Sequence, residues 1–165
     1  MENTTQIEPA QNQAFLSSQQ LLDHWQAHRR LTRRLIEAFP ADQFFTYSLG
    51  GMRPCSELIA EILGMTGAGM EGVRSGRWDA FQTMDASSKD EVLAQWDQVT
   101  AQIDTIWPQI PTSRYQEVDL AFGLYEGTMY WFILYLIDNE IHHRAQAYVY
   151  LRTLGIEPPA FWDRS

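Results

Sequence analysis

The residues best suited to chemistry lie together near the carboxyl end of the chain, at residues 138–146. This segment reads DNEIHHRAQ and combines two histidines, two acids, one arginine and two amides within an otherwise apolar helical pattern. Imidazole nitrogens and carboxylate or amide oxygens ligate metals, and imidazole also acts as a general acid or base. The segment therefore predicts a metal or catalytic site, a degenerate form of one, or a polar helix face.

Helical spacing places two of these side chains on a face that points inward. Successive residues of an α-helix turn by about 100°, so residues four apart share one stripe. Asn139 and His143 share a stripe whose other members are apolar or aromatic: Phe132, Leu136, Ala147, Tyr150 and Leu154. The same spacing places His142 at the edge of the buried face. We therefore expect His143 to point into the core, with Asn139 one turn before it.

One ion pair and one cluster of arginines are predicted to face solvent. Glu140 and Arg144 have the spacing of an exposed i,i+4 ion pair on a helix surface. Four arginines cluster nearer the amino end of the chain, namely Arg29, Arg30, Arg33 and Arg34. A short cluster of this kind on a helix favours a solvated face rather than a nucleic-acid patch.

An earlier helical pattern offers a partner for His143. Glu61 lies between Leu58 and Met65 at the edge of an apolar face. An ionised carboxylate there needs a cation or several hydrogen-bond donors, because burying an unpaired charge is unfavourable. A divalent metal held by Glu61, Asn139 and His143 meets this need, and so does a core histidine bonded to Glu61 or to water. The residues alone leave both interpretations open.

Four long helical patterns must position these side chains. The first covers residues 13–39 before Pro40, and the second begins after the glycine pair at 50–51, with Pro54 in its first turn, and fades over 72–76. The third opens with the capping-box signature Ser88 and Glu91 and ends at Pro108, and the fourth covers 125–154. The only short run that resembles a strand lies at 116–122. The fold class is thus predicted to be all-α, a four-helix bundle with long connections.

The two long connections, residues 74–86 and 107–123, carry several aromatic side chains. Long loops within a compact domain are often functional. Trp78 and Phe81 in the first connection, and Tyr115 and Phe122 in the second, are predicted either to line the mouth of a pocket or to cap the core.

Composition and charge exclude several classes of protein. The chain has 165 residues, 45% of them hydrophobic, which is enough for one domain with a sizeable core. Its formal net charge of −9 repels phosphate backbones, so we expect no nucleic-acid partner and no role in DNA repair. The longest apolar run is too short to cross a bilayer, so no membrane partner is expected. Residues 1–12 are predicted to be a disordered tail and residues 13–165 one helical domain.

The single cysteine, Cys55, forms no internal disulfide and fits a reducing cytoplasm. No apolar leader precedes the first helix, and we therefore expect a cytoplasmic protein. Cys55 lies near a predicted helix N-terminus, which lowers a thiol pKa, but no general base is assigned to it. We do not predict Cys55 as a nucleophile.

Two segments carry a resemblance to a known family. Residues 137–159 read IDNEIHHRAQAYVYLRTLGIEPP, and residues 52–65 read MRPCSELIAEILGM. They resemble the DinB-like family of metal-dependent proteins, which includes the YfiT-type proteins. The resemblance implies a four-helix bundle, often dimeric, with a divalent metal held by three histidines. Those three positions correspond here to Glu61, Asn139 and His143, so one histidine of three is kept.

The resemblance also implies a function. It suggests a metal-dependent enzyme, a transferase acting on a low-molecular-weight thiol or a hydrolase, with one zinc, nickel or manganese ion on Glu61, Asn139 and His143. His142 and Tyr150 are the candidate catalytic or ligand-orienting groups. The alternative hypothesis is a metal-free bundle that binds a small molecule or a partner, with a structural polar cluster. A small-molecule substrate and a homodimer are expected in the first case.

Overall fold

The computed structural model describes residues 15–81 and 83–165 of the chain. This part forms four α-helices, two short 3-10 helices and one two-stranded antiparallel sheet. In chain order these are α1 (Ser18–Ala38), α2 (Cys55–Ser75), α3 (Lys89–Ile106), the 3-10 helices Trp107–Gln109 and Thr112–Gln116, β1 (Val118–Ala121), β2 (Tyr125–Thr128) and α4 (Met129–Thr153). The predicted tail at residues 1–12 lies outside the described residues.

Helix α1 begins five residues later than the predicted start at residue 13. Ser17 caps it, because its hydroxyl accepts from the backbone N–H of Gln20 and the Gln20 side chain accepts from the Ser17 N–H at 2.9 Å. Two unpaired N–H groups of the first turn are thereby satisfied. Phe15, which the predicted range 13–39 placed inside the helix, precedes the cap and is fully exposed.

Helices α2 and α3 match their predicted positions. Pro54 is the N-cap of α2, and Gly76 ends that helix in the left-handed conformation at φ 74°. The hydroxyl of Ser88 caps α3 by accepting from the Glu91 N–H. The Glu91 carboxylate, however, accepts from the N–H of Ser87 at 2.7 Å rather than from Ser88, so half of the predicted capping box is present.

The fourth predicted helix was too long at its amino end. Residues 125–128 form β2, which pairs with β1 in the register Val118 to Thr128 and Ala121 to Tyr125. Phe122 and Gly123 both have positive φ, 54° and 70°, and this turn sends the chain back along β1. The short run at 116–122 does contain a strand, and the protein is mostly helical with a small sheet rather than all-α.

Helices α1 and α2 each pack against both α3 and α4, around a core rich in large side chains. Helix α4 therefore has two buried sides, one against α1 and one against α2. Small residues allow close approach on the α2 side, since a Cβ at Gly69 would lie 3.0 Å from the ring of Phe132. Within residues 15–81 and 83–165, no helix is long and apolar enough to cross a membrane.

The aromatic residues of the long connections divide between the two predicted roles. Trp78 covers Gly72 so closely that a Cβ there would lie 2.2 Å from the indole, and it packs edge-on against Phe122 and Phe132. Tyr115 packs against Trp107. These residues cap the core. Phe81 is 44% exposed and lines a pocket.

Candidate functional site

The structure brings together the three side chains to which the sequence assigned a metal. Nε2 of His143 on α4 lies 2.9 Å from Oε1 of Glu61 on α2. Nδ2 of Asn139, one turn earlier on α4, donates to the same Glu61 oxygen at 3.1 Å. The stripe that carries Asn139 and His143 faces α2, as the helical spacing predicted.

A fourth member of the cluster, Arg53, was not predicted. Its Nη2 lies 2.6 Å from Oε2 of Glu61, so the guanidinium holds the oxygen that His143 and Asn139 leave free. Arg53 precedes α2 and lies outside any periodic pattern, which is why helical spacing gave no signal for it. Tyr150 fixes its backbone, since the phenol donates to the carbonyl of Arg53 at 2.8 Å.

His143 itself is almost wholly buried, with 5% of its surface exposed. Its Nδ1 lies 3.0 Å from Oε1 of Gln146, and its Nε2 faces the Glu61 carboxylate. Both ring nitrogens therefore lie within hydrogen-bond distance of a side-chain oxygen. Gln146 orients the ring on the side away from Glu61.

The Glu61 carboxylate is held in its ionised form. Partial burial opposes ionisation, but hydrogen bonds from His143, Arg53 and Asn139 outweigh it and lower the Glu61 pKa to about 2. A carboxylate with so low a pKa takes up protons poorly near neutral pH. Glu61 is therefore a fixed negative charge and not a general base.

The other predicted functional groups lie around the cluster rather than in it. His142 is exposed and contacts Gln146, with 3.3 Å between its Nε2 and the amide nitrogen. Tyr150 is fully buried and acts on the cluster only through the Arg53 backbone. Cys55 is also fully buried, and burial raises the pKa of its thiol, which reverses the effect predicted from the helix N-terminus.

A pocket of about 490 Å³ opens above the Glu61 side chain, which is 30% exposed. Its lining combines charged residues of α2 and the segment before it with aromatic residues from three other parts of the chain. The lining residues are Arg53, Glu57, Glu61, Gly64, Met65, Phe81, Tyr125 and Tyr135. The volume is in the range of small-molecule sites.

The side of α4 that packs against α1 carries a second polar cluster, and it overturns two predictions. Glu140 and Arg144 were predicted to be an exposed pair, yet Glu140 is 0% and Arg144 6% exposed. Arg29, predicted on a solvated face, is 0% exposed as well. The reason is that this side of α4 packs against α1, so the same i,i+4 spacing lies inside the protein.

This buried network is closely bonded. Glu140 accepts from the Thr32 hydroxyl at 2.6 Å and from the Trp25 indole at 3.3 Å, and it pairs with Arg29 at 3.5 Å. The Arg29 guanidinium lies 3.4 Å from the centre of the Trp96 ring. The Arg144 guanidinium lies 3.7 Å from Glu140.

Comparison with known proteins identifies the family of this chain. A family model described as the DinB family matches residues 1–164. The chain belongs to the DinB family. It is 24% identical to the uncharacterized protein YjoA of Bacillus subtilis over 150 residues, which cover 89% of this chain and 97% of YjoA.

Two solved DinB-like structures have the same fold. The crystal structure of YjoA from Bacillus subtilis has a TM-score of 0.73 at 22% identity, and one from Bacillus cereus ATCC 10987 has a TM-score of 0.71 at 15% identity. Each comparison covers 87% of this chain and 97% of the other. At these identities the likeness concerns the fold.

The donor set of this DinB-family chain does not fit the three-histidine metal site that the family resemblance implies. Only His143 offers a nitrogen ligand, Asn139 is a weak oxygen ligand for zinc or nickel, and the second oxygen of Glu61 is bonded to Arg53. Over residues 15–81 and 83–165, no group of three or more His, Cys, Asp or Glu side chains is placed to hold a metal ion. A cation bound at Glu61 would also lie beside the Arg53 guanidinium, which repels it.

Proposed function

We propose that this DinB-family protein binds a small organic molecule without a metal, in the pocket above Glu61. The Arg53–Glu61 ion pair at 2.6 Å supports this proposal most directly, because it places a protein cation where the metal site implied by the family resemblance would need a free ligand atom. Glu61 thereby becomes the fixed polar floor of a pocket with aromatic walls.

The electrostatics of the cluster support binding rather than proton transfer. General acid–base catalysis works best when the pKa of the group lies near the working pH. The Glu61 pKa is lowered to about 2 despite partial burial, because three donors bond to its ionised form. Tyr150 and Cys55 are buried away from the pocket. The pocket thus offers hydrogen bonds and apolar contact, and the Glu61 carboxylate at its floor is poorly suited to act as a base.

The competing proposal is the metal-dependent thiol transferase that the family resemblance suggests. One contact favours it: Gln146 accepts at Nδ1 of His143, as the outer partner of a ligating imidazole does. A metal on Nε2 would then have to displace the bond from His143 to Glu61 and compete with Arg53. Homodimer formation is likewise a proposal from the resemblance, and sedimentation velocity tests it.

Binding is tested by NMR on chelator-treated, full-length protein with small aromatic fragments that are cationic, anionic or neutral. We expect chemical-shift changes at Glu61, Gly64 and Tyr135, which all line the pocket. Tyr135→Ala should weaken binding, whereas Tyr130→Ala, which changes an exposed tyrosine outside that lining, should not. Binding that appears only after zinc, nickel or manganese is added would contradict the proposal and support the metalloenzyme.

A further inference from the structure

The charges that line the pocket do not balance. Arg53 and Glu61 neutralise each other across their ion pair, but Glu57 lines the same pocket one turn earlier on α2. Across the described ranges, no Lys, Arg or His nitrogen lies within 4 Å of the Glu57 carboxylate, which is exposed. The Glu57 carboxylate therefore presents an unpaired negative charge to a ligand in the pocket.

The remaining walls are exposed aromatic rings. Phe81 is 44%, Tyr125 42% and Tyr135 36% exposed, although large aromatic side chains are usually more deeply buried. Tyr125 and Tyr135 lie nearly parallel, with ring centres 6.4 Å apart and an interplanar angle of 26°. Aromatic rings attract cations through their negatively charged faces, and they also bind apolar groups.

We propose that the pocket selects organic cations, such as a primary amine or a quaternary ammonium group on an apolar or aromatic body. The cationic group lies near Glu57, and the body packs against Phe81, Tyr125 and Tyr135. This inference rests on the proposed function, since it names the ligand class of the same pocket. The protein's net charge of −9 adds a long-range attraction for such ligands.

The test is a calorimetric titration of full-length, chelator-treated protein with four probes that share one ring: benzylamine, benzyltrimethylammonium, benzyl alcohol and benzoate. We expect both cations to bind about tenfold more tightly than the alcohol and benzoate to bind least. The advantage of the cations should shrink as salt is added, because the Debye length falls from about 10 Å at 0.1 M to about 3 Å at 1 M.

Two variants separate the charge from the aromatic walls. Glu57→Gln should weaken binding of both cations about fivefold and leave benzyl alcohol unchanged, whereas Glu157→Gln makes the same change in net charge outside this pocket and should alter neither. Tyr125→Leu should weaken the quaternary ammonium probe more than benzyl alcohol. Circular dichroism confirms that each variant is folded.

The outcomes distinguish this inference from the function on which it rests. Equal affinity for benzylamine and benzyl alcohol, or a Glu57→Gln variant that binds cations like the wild type, would overturn the ligand class and leave a general small-molecule site. Tighter binding of benzoate would overturn it as well. If no probe binds at about 10 mM, both the ligand class and the proposed function fail.

Discussion

Helix α4 carries two polar clusters, one facing α1 and one facing α2, and they differ in their access to water. The network of Arg29, Glu140 and Arg144 lies between α4 and α1, with both Arg29 and Glu140 fully buried. The cluster of Glu61 and His143 lies between α4 and α2 at the floor of a pocket, and the Glu61 side chain is 30% exposed. The residues alternate along the same two turns, since Asn139 precedes Glu140 and His143 precedes Arg144.

The difference in access to water gives the two clusters different roles. In the buried network water has no access, so each charge depends on its protein partners, and removing one leaves the others unpaired. In the pocket cluster water or a ligand replaces a lost partner. We conclude that the buried network mainly stabilises the packing of α1 on α4, whereas the pocket cluster shapes a binding surface.

The largest expected effect comes from Glu140→Ala. This change leaves the guanidinium groups of Arg29 and Arg144 in the interior without their carboxylate. We expect the free energy of unfolding to fall by about 3–5 kcal/mol, measured by urea denaturation. Glu157→Ala, at an exposed position, should change it by less than about 0.5 kcal/mol. A loss below about 1 kcal/mol at Glu140 would show that the network is not a stabilising element.

The second effect is a pH dependence of stability caused by His28. This residue lies beside the buried network, and its Nδ1 accepts a hydrogen bond from Arg144. Burial, and then the charge of Arg144, lower its pKa to about 3 from 6.5. Because the unfolded chain takes up this proton at higher pH than the folded chain, His28 contributes stability above pH 6.5 that is lost as the pH falls toward 3.

The variant His28→Gln isolates that contribution from the carboxylates that titrate in the same range. We expect unfolding curves between pH 7 and pH 4 to show a shallower loss of stability for His28→Gln than for the wild type. His142→Gln, at an exposed histidine, is the matched control and should follow the wild type. Parallel curves for all three proteins would mean that His28 ionises normally in the folded state.

A smaller loss is expected for Glu61→Gln in the pocket cluster. The amide keeps an oxygen for His143, and the Arg53 side chain is 46% exposed, so water takes the place of the lost charge. We expect a decrease in unfolding free energy of about 1 kcal/mol or less by urea denaturation. A loss as large as that of Glu140→Ala would erase the distinction between the two clusters.

The smallest effect on stability is expected for Arg53→Met, because partly exposed ion pairs contribute only about 0–1 kcal/mol. The effect of Arg53→Met on zinc affinity should be larger, because the substitution frees one oxygen of Glu61. We expect tighter zinc binding than in the wild type by calorimetry. Arg77→Met, which removes an exposed pair with Glu71, is the control and should leave zinc binding unchanged. Unchanged zinc binding in Arg53→Met would show that Arg53 does not exclude a metal.

Part of the site could be read from the sequence because helical spacing governs it. Asn139 and His143 face α2, and Glu61 meets them, as their stripes predicted. The same spacing failed for Glu140 and Arg144, because an i,i+4 pair has one pattern whether solvent or another helix covers it. Helix α4 has two buried sides, and only the packing of α1 reveals the second one.

The remaining misses have local causes. Arg53 lies outside a helix, so its contact with Glu61 depends on the path of the segment before α2. The strand β2 follows a turn with positive φ at Phe122, a residue type that gives no signal for that conformation. The start of α1 does have a sequence signal, because Ser17 and Gln20 have the spacing and residue types of a capping box.

We infer that the Glu61 cluster works without a metal. We would titrate zinc into chelator-treated wild type and into Glu61→His/Asn139→His, which completes the three-histidine set with His143. We expect about one tightly bound zinc per chain in the double variant and no stoichiometric uptake in the wild type. One tightly bound zinc per wild-type chain, lost in Glu61→Ala, would show instead that Glu61 and His143 form a metal centre.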